Sequence, residues 1–252
     1  MFPLRDENPR IRTPWVTALL IAANIVVWIT VQGLGHPEWL MQSVCRFGLM
    51  PGALLGHIPE GTVVPIGPDT GCRIGSPVWP TLFTSMFMHG GWFHIIANLW
   101  FLWILGDNVE DAMGPWRFLC FYLACGLAAA AAQAATDPSS AVPMVGASGA
   151  ISGVMGAYAL LYPHARIHTL VFLGIFITTV AFPAWIMLGY WLLIQVIMGI
   201  PALVGSVGGG IAFWAHAGGF IAGLALVYPF HKPEYLERHR RQHPQRKSRC
   251  RL

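Results

Sequence analysis

The sequence predicts an all-α, polytopic membrane protein with six transmembrane helices. Of its 252 residues, 55% are hydrophobic and 10% are charged, whereas a typical soluble domain has roughly 25% charged residues. Residues 167–231 contain no Lys, Arg, Asp or Glu, and at about 20 residues per crossing this stretch alone can form two spans. A surface built from such residues cannot face water, so the lipid bilayer is the expected environment and partner.

Six apolar runs, each bounded by charged residues, Pro or Gly, are candidates for the spans. They are residues 15–31, 80–105, 118–135, 148–162, 183–200 and 211–228. Residues 169–182 are equally apolar, but this segment is short for a crossing and rich in β-branched residues. We interpret it as an interfacial or re-entrant prelude to the fifth span. The connection at 33–79 is predicted to be a long first outer loop.

Charge asymmetry predicts which side each connection faces. An even number of spans places both ends of the sequence on one side of the membrane. With those ends and the connections after spans two and four inside, thirteen Lys and Arg lie inside, and two, Arg46 and Arg73, lie outside. This distribution follows the positive-inside rule. It predicts a multi-pass protein with N-in and C-in topology in the cell membrane, which we take to be a bacterial inner membrane.

The predicted topology divides the chain into three parts. Residues 1–13 form a cytoplasmic N-terminal segment, 14–230 the membrane domain and 231–252 a basic cytoplasmic tail. A basic segment beside a span attracts anionic lipid and sets topology, so we prefer this interpretation of the tail over a nucleic-acid patch. The first run lacks a small-x-small cleavage site and is interpreted as a signal anchor. Cys45 and Cys72 in the outer loop either form a disulfide or remain free thiols.

Polar residues interrupt spans two, four and six at similar depths. His94, Ser148 and His216 precede the inner ends of their spans by 13, 15 and 13 residues, or about 20, 22 and 20 Å at 1.5 Å per residue. All three therefore lie some 8 to 10 Å below the outer face of a core about 30 Å thick. Polar residues that share a plane inside a membrane predict a functional site.

The residue types in these clusters suit acyl transfer. Ser148 lies between glycines at the start of a predicted helix, where unpaired backbone N–H groups can stabilise an oxyanion. Small residues on both helices, such as Gly149 and Gly219, let spans four and six approach closely. The imidazole of His216 can then reach the hydroxyl of Ser148.

Two further polar residues share one face of span two. His94 and Asn98 are spaced i and i+4, so both can direct donors at one oxygen and complete an oxyanion hole with the backbone N–H of Ser148. His89 lies five residues before His94, nearly opposite it on a helix and closer to the outer surface.

These motifs resemble a known family. The run Gly146-Ala147-Ser148-Gly149, the run from His89 through His94 to Asn98, and Ala215-His216-Ala217-Gly218-Gly219 closely resemble the three signatures of rhomboid intramembrane serine proteases. The resemblance covers about residues 14–230, with the motifs in the right order and spacing. It implies a six-helix rhomboid bundle, with the loop 33–79 partly in the membrane plane and the Gly-rich residues 201–210 as a mobile cap.

The resemblance also implies a role for each site residue. Ser148 would be the nucleophile and His216 the general base and acid of a dyad without aspartate, while His94 and Asn98 would stabilise the oxyanion. The supporting residues would be His89, Gly146, Gly149 and Gly219. One position departs from the family pattern: Ser152 stands where some rhomboids carry a tyrosine that stacks on the catalytic histidine.

The expected function is therefore that of an intramembrane serine endopeptidase. Its partners would be transmembrane protein substrates, cleaved near their outer ends, and no metal, other cofactor or nucleic acid is expected. No His-Glu-x-x-His motif and no aspartate within a span is present, which excludes two other classes of intramembrane protease. The alternatives are an inactive rhomboid-like protein that binds clients, and a small-solute transporter, although the two halves of the chain show no repeat. The sequence predicts no particular oligomeric state.

Overall fold

A computed structural model describes residues 2–67, 70–173, 176–203 and 212–242 of the chain. This part is mostly helical. In chain order its elements are β1 (Phe2–Asp6), α1 (Trp15–Thr30), α2 (Pro37–Phe47), α3 (Pro51–Leu54), β2 (Val63–Gly67), β3 (Thr70–Arg73), α4 (Thr81–Thr84), α5 (Trp92–Met113), α6 (Pro115–Thr136), α7 (Ser148–Leu161), β4 (Arg166–Leu173), β5 (Phe176–Pro183), α8 (Ala184–Leu203), α9 (Phe213–Phe230) and α10 (Pro233–Gln242).

Apolar helices occupy the six predicted runs and pack into one bundle. Among the described residues, three helices are long and apolar enough to cross a membrane: α6, α8 through Pro201, and α9. The helices α1 and α7 are apolar but shorter. Large apolar side chains are exposed on the outward faces of the bundle, as at Leu19, Ile197 and Ile221. Large exposed apolar side chains of this kind suit contact with lipid.

The centre of the bundle is α7, which is buried along most of its length. It contacts α9 backbone to backbone through glycines. A Cβ atom added to Gly219 would overlap the backbone oxygen of Gly149, and one added to Gly223 would overlap that of Gly153. Apolar surface gains little by leaving lipid for another helix, so membrane helices associate through close packing of small residues.

The second predicted span differs from the expected single helix over 80–105. The chain there forms α4 and a 3-10 turn at Ser85–Phe87, and α5 then begins at Trp92 and continues to Met113. The carboxylate of Glu110 explains why α5 continues past the predicted end. It accepts hydrogen bonds from the backbone N–H groups of Val16 at 3.0 Å and Thr17 at 2.8 Å, and from the Thr17 hydroxyl at 2.8 Å. The carboxylate thereby satisfies unpaired donors at the start of α1.

The expectation of an all-α fold is incomplete, because the described residues include two small sheets. Residues 169–182, interpreted above as a re-entrant or interfacial prelude, belong to an antiparallel hairpin of β4 and β5. The strand β1 adds to this hairpin, giving the order β1-β4-β5. The β-branched residues of this segment favour strands over helix.

The segment between α1 and α5 contains short structured elements. The strands β2 and β3 pair as a second hairpin, and a disulfide joins Cys45 of α2 to Cys72 of β3. The cysteine pair left open by the sequence is therefore bonded.

The N-terminal segment and the tail helix α10 meet at one end of the bundle. Nε2 of His239 donates to the backbone oxygen of Pro9 at 3.0 Å, and the Arg12 guanidinium lies 3.4 Å from the centre of the Tyr235 ring. The backbone N–H of Lys232 donates to Ala112 of α5 at 2.9 Å. Most of the Gly-rich stretch 201–210, predicted to be a mobile cap, and residues 243–252 of the tail lie outside the described residues.

We predict that the stability of the fold decreases between about pH 4 and pH 7. Burial raises the pKa of Asp6 from 3.8 to about 7, although its hydrogen bond from the Tyr158 hydroxyl opposes the rise. In this range the folded protein keeps a proton that the unfolded chain has lost, so the free energy of unfolding falls as pH rises. Asp6→Asn should flatten this fall and raise the unfolding temperature at pH 8 by about 2 °C or more.

The measurement is thermal unfolding in detergent at a series of pH values from 5 to 8. The matched control is Glu7→Gln, because the pKa of this exposed carboxyl is lowered by its hydrogen bond with His168 and its removal should leave the fall in place. Identical profiles for wild type and Asp6→Asn would contradict the prediction.

Candidate active site

A cavity of about 490 Å³ lies among α5, α6, α7 and α9. Its walls are mainly apolar or made of small residues. Its polar lining includes the side chains of His94, Asn98, Ser148, Ser152 and His216. Residues from three of the predicted spans thus line one space.

Ser148 and His216 are in direct contact. Oγ of Ser148 lies 2.7 Å from Nε2 of His216. Ser148 is the first residue of α7, so its backbone N–H has no acceptor within the helix. His216 lies in the first turn of α9. The contact therefore joins the starts of two helices. A hydroxyl in contact with an imidazole can act as a nucleophile, with the imidazole as its base.

Glycines around Ser148 make room for its neighbours. Gly146 has φ +125°, a region that other residues rarely adopt, and a Cβ atom there would lie 2.7 Å from Nε2 of His94. A Cβ atom on Gly149 would lie 2.6 Å from that of Ala129 on α6. The absence of side chains at these positions lets His94 approach the serine loop and lets α6, α7 and α9 close together.

His94 and Asn98 present donors to the cavity. The backbone N–H of Gly90 donates to Nδ1 of His94 at 3.2 Å, so the neutral imidazole carries its proton on Nε2. The Asn98 side chain is buried, and its Nδ2 has no hydrogen-bond partner among the described residues. Buried amide donors are usually paired, so an unpaired one in a cavity wall is suited to an acceptor that arrives with a ligand.

His89 packs against His94 but does not line the cavity. Its ring is fully buried and lies 5.2 Å from the His94 ring, with 77° between the planes. The expected helical position for His89 is wrong, because α5 begins only at Trp92, after two glycines. The side chain of Gln32 holds the His89 backbone instead, donating to its oxygen at 2.8 Å and accepting from its N–H at 2.9 Å.

Two residues of α8 contact the catalytic candidate His216, and the sequence did not predict either. Oε1 of Gln195 lies 2.8 Å from Nδ1 of His216, and the ring of Trp191 lies 5.8 Å from the imidazole centre. The sequence contained one indication of Gln195, because it is an amide within an otherwise apolar run and polar residues inside a span usually have a function. Ser152, which stands where some rhomboids carry a tyrosine, does not stack on the imidazole. Its hydroxyl donates to the backbone oxygen of Ser148 at 2.6 Å.

The polar side chains that line the cavity carry hydroxyl, imidazole and amide groups. Within the described ranges, no three His, Cys, Asp or Glu residues are grouped as ligands of a metal ion would be. The arrangement offers a hydroxyl with a base on one side and buried donors on the other, which are the groups that acyl transfer requires.

Comparisons with known proteins agree with the motifs. The sequence is 37% identical over 107 residues to "Rhomboid protease GluP" of Bacillus subtilis (strain 168), covering 42% of this chain and 20% of the relative. It is 32% identical over 94 residues to "Putative rhomboid protease YdcA" of the same organism, covering 36% and 47%. It is 26% identical over 162 residues to "RHOMBOID-like protein 5" of Arabidopsis thaliana, covering 60% and 52%.

The chain thus spans between about a fifth and a half of the length of these relatives. The model of the Rhomboid domain family matches residues 76–233, which is more than half of the chain. The matched range includes Ser148, His94 and His216 of the cavity. On this match, the chain belongs to the rhomboid family.

Proposed function

We propose that this chain is an active intramembrane serine endopeptidase that uses Ser148 and His216 as a dyad. The observation that carries the proposal is the 2.7 Å contact between Oγ of Ser148 and Nε2 of His216. The unpaired Nδ2 of Asn98 in the same cavity adds to it. The names of two Bacillus subtilis relatives contain the words "rhomboid protease", which agrees with this activity.

The proposed reaction begins with neutral His216. Its Nε2 accepts the proton of Ser148 as Oγ bonds to the carbonyl carbon of the substrate. The negative charge that develops on the carbonyl oxygen is stabilised by Nδ2 of Asn98, Nε2–H of His94 and the backbone N–H of Ser148. The imidazolium then gives its proton to the leaving amine as the C–N bond breaks. Water then attacks the carbonyl carbon of the acyl-enzyme while Nε2 of His216 accepts its proton. The ester bond to Oγ of Ser148 breaks, and the imidazolium returns the proton to Oγ.

We infer six spans with both described ends in the cytoplasm. The hydrogen bond between Pro9 and His239 supports this view, because an even number of crossings leaves the N-terminal segment and the tail helix on the same side. The distribution of thirteen Lys and Arg on that side and two on the other supports the cytoplasm as that side. On this view residues 1–13, 14–230 and 231–252 are the cytoplasmic segment, membrane domain and tail, although β1 is packed onto the hairpin of the membrane domain.

An inactive client-binding protein is the main alternative. Some relatives are named only as rhomboid-like, so family membership alone does not decide the matter. A binding protein needs no base in contact with a hydroxyl, and it gains nothing from an unpaired buried amide. A transporter finds no support in the comparisons, since the named relatives include proteases.

The expected substrate bond follows from backbone chemistry. A carbonyl in an intact membrane helix is hydrogen-bonded and shielded by side chains, so Ser148 cannot attack it until the helix unwinds. Because Ser148 is expected some 8 to 10 Å below the outer face, the favoured bond lies near the outer end of a client span. The small-residue surroundings of Ser148 favour a small residue such as Ala just before the cut.

The first prediction concerns the dyad. Ser148→Ala and His216→Ala should each lower cleavage of a membrane-anchored reporter by about 10⁴-fold or more, because nucleophile and base act as a unit. Asn98→Ala should cost about 10²-fold, since neighbouring donors partly replace it. Rates should be measured in detergent and in liposomes, with Cys120→Ser, an exposed site on α6, as the matched control. Full activity of Ser148→Ala would overturn the proposal.

The second prediction concerns the cut site. Mass spectrometry of a cleaved transmembrane reporter should place the cut near its outer end. Replacing helix-weakening Gly or Pro residues of the reporter by Leu should slow cleavage while leaving insertion intact, because unwinding then costs more. Cuts near the cytoplasmic end, or rapid cleavage of an uninterrupted poly-Leu span, would contradict it.

The third prediction concerns topology. In intact cells, an impermeant thiol reagent should label Cys45 and Cys72 only after their disulfide is reduced. It should reach Cys250 only after the membrane is permeabilised. The control is Cys250→Ser, which removes the second signal alone. Labelling of Cys250 in intact cells would contradict the inferred cytoplasmic position of the tail.

A further inference from the structure

We propose that Gln195 of α8 is a positioning residue that holds His216 in the tautomer able to accept the proton of Ser148. This inference rests on the proposed function. Oε1 of Gln195 lies 2.8 Å from Nδ1 of His216, and Nε2 of the same ring lies 2.7 Å from Oγ of Ser148. The imidazole is thus held between an amide on α8 and the hydroxyl on α7.

The chemistry of a neutral imidazole makes this contact directional. Only one ring nitrogen carries a proton, and a base acting through Nε2 must carry it on Nδ1. In a buried site that N–H needs an acceptor, because an unpaired donor is costly there. The Gln195 carbonyl is such an acceptor, and at 9% exposure the residue is largely shielded from competing water.

The neighbouring residues Trp191, Ser152 and His94 do not provide an acceptor for the Nδ1–H group of His216. The indole of Trp191 packs against the imidazole, but its N–H can only donate. The hydroxyl of Ser152 donates to the backbone oxygen of Ser148, which commits it to its own helix. From α5, the titratable group that faces His216 is His94, whose Nδ1 is occupied by the Gly90 N–H.

The neutral amide also differs from the carboxylate of a serine protease triad. A carboxylate would stabilise the imidazolium by its full charge, but burying that charge in a membrane site is costly. An amide carbonyl fixes the ring and its tautomer without a net charge. The contribution of Gln195 should therefore appear in the rate of the chemical step and not in substrate binding.

The decisive comparison uses two substitutions at one position. Gln195→Leu keeps a similar size but removes the acceptor, and should lower kcat by about 10- to 10²-fold while KM changes by less than about twofold. Gln195→Glu keeps an acceptor that cannot rotate into a donor, and should recover most of kcat at alkaline pH. Its carboxylate stabilises the protonated ring, so the acidic limb of its rate profile should move to higher pH.

Gln133 supplies the matched control. Its Oε1 accepts from the backbone N–H of Ala215 at 3.2 Å, so Gln133→Leu removes a hydrogen bond to the same helix without touching the imidazole. This variant should keep the wild-type pH profile and lose less than about threefold in kcat. The rate at which a fluorophosphonate probe labels Ser148 should fall for Gln195→Leu and not for Gln133→Leu, since labelling needs no unwinding of a substrate. Thermal unfolding of each variant should be measured to check that it is folded.

The outcomes separate the two proposals. Wild-type protein that neither cleaves the reporter nor reacts with the probe would overturn the proposed function itself. An active wild type, with folded Gln195→Leu that keeps its kcat and labelling rate, would overturn the role of Gln195 alone. Equal losses in Gln195→Leu and Gln133→Leu would also overturn it, because they would indicate a general effect on α9.

Discussion

The backbone contact between α7 and α9 is the constraint on which the candidate active site depends. Ser148 and His216 are 68 residues apart, on separate helices whose axes would ordinarily lie 8 to 10 Å apart. Added Cβ atoms at Gly219 and Gly223 would overlap backbone oxygens of α7. Substitution by any larger residue would force the helices apart and lengthen a hydrogen bond that tolerates little change. The glycines that hold the bundle together in lipid therefore also set the distance between nucleophile and base.

Polar groups are distributed in the bundle according to their charge. The carboxylates of Glu110 and Asp111 lie toward the end where the N-terminal segment meets α10, and they accept backbone donors of residues 11–17. Around the cavity the polar groups are hydroxyls, imidazoles and amides, which can be neutral. A full charge costs far more to bury than a hydrogen-bonded neutral group. A site inside a membrane is consequently best built from histidine, asparagine, glutamine and serine, with permanent charges kept to its ends.

The sequence predicted local patterns better than distant partners. The cores of the apolar helices followed from composition, and His94, Ser148 and His216, which the sequence predicted to form one site, line a shared cavity. The end of α5 was misjudged because Glu110 is stabilised by residues 93 positions away, which no local rule reveals. The hairpin of β4 and β5 was missed for a similar reason, because it belongs to a sheet whose third strand, β1, lies far away in the sequence. Gln195 lies in a helix whose periodicity gives no indication that it faces the imidazole. The roles of these residues stay predictions until activity is measured.

The short length of α7 links membrane structure to chemistry. Its 14 residues span about 21 Å at 1.5 Å per residue, which is less than a bilayer core of about 30 Å. A helix that starts inside the membrane leaves N–H groups unpaired, and lipid cannot satisfy them. On the proposed topology that start is Ser148, and it lines a cavity of about 490 Å³. The cavity can hold water, which hydrolysis of an acyl-enzyme requires, and the same N–H groups can stabilise an oxyanion. The unpaired N–H groups at the start of α7 would be unfavourable in lipid, but beside the cavity they are the donors that the proposed reaction needs.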